Sequence, residues 1–129
     1  ENERLNQFIK KLNDTNFIIP PSPREIGTFI PNGFDDITFE LNEIKFTHEK
    51  IASHCSVSIQ TAITLGLEKV FIAGFDGYIN QNKGSREREL FNENEVIFND
   101  AQKSGLQITS LTPTLYSKIE TQSVYSLIQ

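Results

Sequence analysis

Apolar and polar positions along the chain change their period several times, and each change marks an element. Leu5, Phe8, Ile9 and Leu12 recur at i, i+3, i+4 and i+7, which predicts a helix with one apolar stripe. Asn13-Asp14-Thr15-Asn16 should stop it, because short polar side chains compete for backbone hydrogen bonds. Phe17-Ile18-Ile19 then reads as a short buried strand. Pro20-Pro21-Ser22-Pro23 must leave any sheet, since proline fixes φ and donates nothing to a ladder. Residues 37–48, ITFELNEIKFTH, alternate with period two. A two-residue turn at Asn42-Glu43 would pair Leu41 with Ile44 and Phe39 with Phe46 on one face, as a β-hairpin at the sheet edge or as an excursion from it.

The second half of the chain is more regular. Cys55, Ile59, Ala62 and Ile63 recur with helical spacing between Ser53 and Leu65, and Gly66 fits the left-handed position that ends such a helix. Val70 to Ala73 is apolar on both faces, which predicts a central parallel strand. Gly84-Ser85 opens a further helix, with Ser85 as its N-cap and Glu87 and Glu89 near its positive end. Leu90, Ile97 and Ala101, supported by Phe91 and Phe98, mark its buried side, and Gly105 ends it. Leu106 to Leu111 returns as a strand, which Pro113 breaks. Strand, helix, strand in this order is a βαβ unit, expected to be parallel and right-handed. The whole pattern predicts an α/β fold, a three-layer Rossmann-like domain over residues 1–129 with a mainly parallel sheet and the hairpin as an excursion. There is no internal repeat.

Composition narrows the classes of function. With 129 residues the chain is long enough to bury a core without staples. Its 12 basic and 17 acidic residues leave a net charge of −5 and no basic cluster, so a phosphate backbone is repelled and nucleic acid is not an expected partner. No apolar run approaches the roughly 20 residues that span a bilayer. A single cysteine, Cys55, cannot form an internal disulfide and fits a reducing compartment, here expected to be the cytoplasm. The chain begins at Glu1, without methionine and within a helical pattern, and is expected to be a piece of a longer protein.

Candidate chemistry collects where the predicted parallel strands end. Asp76 stands between Phe75 and Gly77, in Gly74-Phe75-Asp76-Gly77-Tyr78, just past the carboxyl end of the first strand, where open parallel sheets bind ligands. Two readings stay open: the carboxylate grips hydroxyls or a metal, or it organises its own turn by accepting backbone N–H groups. Thr112 and Thr114 end the second strand on the same edge; they either line a crevice shared with Asp76, Gly77 and Tyr78 or satisfy the backbone at the proline break. Residues 80–86, NQNKGSR, lead into a helix N-terminus, a geometry that suits an anion. They lack both the dinucleotide and the P-loop glycine patterns, and a solvated loop accounts for them. His48, His54 and Cys55 are too few for a zinc site, and Cys55 falls on the apolar stripe, so no metal is expected.

Two resemblances meet at these residues. TAITLGLEKVFIAGFDGY, the charged helix after it and SLTPTLYSKIETQSVYSLI together resemble the C-terminal domain of aldolase-class proteins from bacterial surface-polysaccharide gene clusters. In that family a Gly-Phe-Asp-Gly-Tyr stretch precedes a helix and a Ser-Leu-Thr-Pro-Thr-x-Tyr segment follows it, behind an HMG-CoA-lyase-like TIM barrel. The quoted stretches lie between Thr61 and Ile128. Those barrels hold a divalent metal through an Asp and a His-x-His pair, and no His-x-His occurs here. The resemblance therefore implies an accessory Rossmann-like domain, without a cofactor, whose partners are a small polar or sugar-like ligand and the N-terminal barrel of its parent chain. The shorter stretch IQTAITLGLEKVFIAGFDGY is similar to the Ala-x-x-Leu-Gly-x-x-x-Ile-Tyr-Leu-x-Gly-x-Asp region of bacterial sialyltransferases. That likeness implies the alternative, a glycosyltransferase-like domain binding a nucleotide sugar. Those transferases use a histidine base after this region, whereas no histidine follows His54.

Overall fold

The computed structural model of the chain describes residues 17–21, 38–45, 53–78 and 84–128. The helix expected from Leu5 to Leu12, and the positions of Ser22, Pro23, Phe46, His48 and residues 79–83, lie outside the described residues. Strands β1 (Phe17–Ile19) and β2 (Thr38–Glu40) are followed by helix α1 (His54–Thr64), strand β3 (Lys69–Ile72) and helix α2 (Ser85–Lys103). Strands β4 (Gln107–Ser110) and β5 (Glu120–Thr121) then precede a 3-10 turn over Val124–Leu127. The class is α/β, and every described strand pair is parallel.

Both helices start and stop for local reasons. Ser53 caps α1, its hydroxyl accepting the Ser56 N–H at 3.2 Å and so satisfying one of the unpaired donors of the first turn. Each helix ends in the same two-bond closure. The amides of Gly66 and Leu67 donate to Ile63 and Ala62, and those of Gly105 and Leu106 donate to Gln102 and Ala101. Gly66 at φ +70° and Gly105 at φ +101° supply the left-handed residue this closure needs. The chain then turns directly into β3 and β4. Gly84, not Ser85, stands at the N-cap of α2, and Ser85 is its first helical residue. Glycine has no side chain to accept an amide, so that end lacks a side-chain cap.

The core lies between the helices and one sheet face. Cys55, Ile59 and Ala62 of α1 meet Ile97, Phe98 and Ala101 of α2, with Leu106, Ile108, Tyr116 and Ile119 completing the cluster. Val70 and Ile72 pack against it from β3, on the face they share with Ile108 through the register Val70 to Ile108 and Ile72 to Ser110. Of the expected α2 stripe, Phe91 packs half-buried against the cluster, and Leu90 is half-buried outside it.

Two further expectations need correction. The sheet order is β3-β4-β5, so among the described residues β4 is the central strand and β3 pairs on one side only. The apolar run at 70–73 suggested burial on both faces, yet Phe71 is 42% exposed and Ala73 is exposed. The Lys69 ammonium lies 4.7 Å from the Phe71 ring centroid, an exposed cation–π contact that partly shields the ring. The tight turn expected at Asn42-Glu43 does not form, and the second strand of the hairpin, with Phe46 and His48, lies outside the described residues. Phe39 pairs with Ile18 in a parallel ladder, and the Leu41 N–H extends it to the Ile19 carbonyl at 3.0 Å. Residues 41–45 follow as an irregular segment, and neither Asn42 nor Glu43 takes the positive φ of a tight hairpin turn.

Candidate functional site

The ends of β3 and β4 form one patch, built residue by residue from Gly74-Phe75-Asp76-Gly77-Tyr78. Gly74 turns the chain at φ +79°. Phe75 then points inward, its ring edge-on to Phe98 at 5.5 Å, which anchors the loop in the core. Asp76 is exposed, and its Oδ1 accepts the Tyr78 N–H at 2.8 Å. That bond supports Tyr78 at φ +63°, a left-handed conformation that costs a residue with a Cβ about 1–2 kcal/mol. Gly77, at φ +76°, is buried where a Cβ would stand 2.9 Å from Leu115 Cβ and 3.0 Å from Phe91 Cε2. Only glycine lets these two side chains close over the loop.

The second loop is stitched to the first. The Thr112 hydroxyl accepts the Gly74 N–H at 3.0 Å, and the Thr114 hydroxyl donates to the Phe75 carbonyl at 2.6 Å. The Leu111 N–H donates to the Ile72 carbonyl at 2.8 Å and the Leu115 N–H to the Asp76 carbonyl at 3.0 Å. Ser110, fully buried, donates its hydroxyl to the Thr112 carbonyl at 2.7 Å and fixes the turn after β4. The structure thus brings Asp76, Gly77, Tyr78, Thr112 and Thr114 into one patch. Both threonine hydroxyls serve backbone groups, mainly across the two loops and not only at the proline break. Of these residues Asp76 is exposed and Tyr78 is half-buried.

Beneath the patch lies an aromatic layer. Tyr116 is buried, stacked on Phe91 with centroids 4.8 Å apart and edge-on to Phe98 at 5.1 Å. Its hydroxyl accepts a hydrogen bond from Asn94 Nδ2 at 3.2 Å. Burial raises the Tyr116 phenol above its ordinary value, against a smaller lowering from Asn94. Asn94 was not singled out in the sequence. Its position between Phe91 and Phe98, at i+3 and i+7 along one helix face, is the signal that marks it as an inward polar residue. Gln60 is a second such case: buried on α1, it accepts the Lys45 N–H at 3.1 Å through Oε1.

The remaining candidates separate from this patch. Cys55 is buried in the core, where desolvation and then Glu93 push its thiol up to about 12. It stays protonated at neutral pH and is not a thiolate nucleophile. His54 is exposed at the start of α1. At the start of α2, Glu87 folds back over Gly84, with Oε2 2.6 Å from where a Cβ there would stand. A carboxylate already meets the positive end of the helix, which disfavours an added anion. Among the described residues no group of three or more His, Cys, Asp or Glu could hold a metal ion, and no helix is long and apolar enough to cross a membrane. Compared with protein-family models, curated proteins and solved structures, the chain matches none of them.

Proposed function

We propose that this chain is an accessory, Rossmann-like domain that binds a small polar or sugar-like ligand at the carboxyl ends of β3 and β4. Its resemblance to the C-terminal domain of aldolase-class proteins from bacterial surface-polysaccharide clusters points to a parent chain whose N-terminal barrel does the chemistry. The observation that carries the reading is the stitched pair of loops. Cross-loop bonds from Thr112 and Thr114 and the inward Phe75 hold the backbone still, while the Asp76 carboxylate stands exposed beside Tyr78. A carboxylate and a phenol carried on a fixed backbone suit sugar hydroxyls, which accept and donate hydrogen bonds on one rigid ring.

The test is a thermal-shift titration with neutral monosaccharides, short oligosaccharides and sugar nucleotides, followed by a turnover assay with any ligand that binds. A neutral sugar at a hundred times its Kd should add about 2.7 kcal/mol of stability. Tyr78→Phe, which removes only the phenol hydroxyl, should weaken that shift while leaving the unliganded melting point nearly unchanged. No shift at millimolar sugar would overturn the reading. A shift with a sugar nucleotide accompanied by glycosyl transfer would replace it with the transferase alternative.

A further inference from the structure

We draw no further inference here: the strongest candidate, the face of the β3-β4-β5 sheet that carries Lys69 and the half-exposed Phe71, lies opposite the helix-covered core, and nothing in the structure shows what covers it.

Discussion

Gly77 and Gly74 share a left-handed backbone but differ in their surroundings, which separates two costs of adding a methyl group. At Gly74 nothing lies within 4 Å of the added Cβ, so Gly74→Ala should cost only the backbone term, about 1–2 kcal/mol. Gly77→Ala meets Leu115 and Phe91 as well, and overpacking adds about 1–3 kcal/mol. Urea unfolding of the two variants should show Gly77→Ala as clearly the worse; equal losses would mean that the loop relaxes freely. Asp76→Asn keeps an oxygen for the Tyr78 amide and should be nearly neutral for stability. Asp76→Ala removes the acceptor and should cost about 1 kcal/mol by the same measurement. Cys55 makes a pH-dependent contribution. Its folded pKa of about 12 lies above the ordinary 9.0, so the folded state binds more protons between these values. Stability from this group is fully present below pH 9 and is lost as pH rises toward 12, with a slope approaching about 1.4 kcal/mol per pH unit. Cys55→Ala should flatten the alkaline limb of a plot of melting temperature against pH; an unchanged limb would show that other groups, such as Tyr116, dominate it.

Helices were the most legible elements, because their signals are local. Spacing at Cys55, Ile59 and Ala62 marked the buried side of α1, and Gly66 and Gly105 marked the closures that the structure contains. The N-terminal ends were less legible: a serine was expected to cap α2, but the cap position falls on Gly84. At α1 the cap is a hydroxyl that replacement should expose. Ser53→Ala should cost about 1 kcal/mol, while Ser53→Asp should retain most of the stability, as read by chemical unfolding. Strand pairing was the least legible. Alternation in residues 37–48 fixes which side chains share a face but does not name the neighbour, and the partner of β2 proved to be β1, roughly twenty residues earlier, in parallel. Asn42-Glu43 lacks the residues that enforce a tight turn, and neither takes the positive φ such a turn needs.

At the scale of the molecule, the α/β class and the parallel β3-α2-β4 unit were readable from the order of periods, whereas the position of β3 within the sheet was not. A run of four apolar residues looks the same whether both faces are buried or one is half-covered by a neighbouring lysine. The difference has a measurable counterpart. Ile108, 3% exposed on β4, should cost about 2–5 kcal/mol when changed to alanine, while Phe71→Thr, at a position 42% exposed, should cost well under half as much. The candidate patch was legible as an address, since two parallel strands end together there. The use of the threonine hydroxyls was not, because it depends on which backbone groups the other loop leaves unpaired. Those cross-loop bonds also bear on how the protein opens. Gly74 and Thr112 are 38 positions apart in the chain, so their bond exists only when β3, α2 and β4 are all assembled. The amides of Gly66 and Leu67, by contrast, are held by their own helix. Native-state deuterium exchange at Gly74, Leu111 and Leu115 should therefore follow global unfolding as one cooperative group, while Gly66 and Leu67 exchange earlier through local fraying.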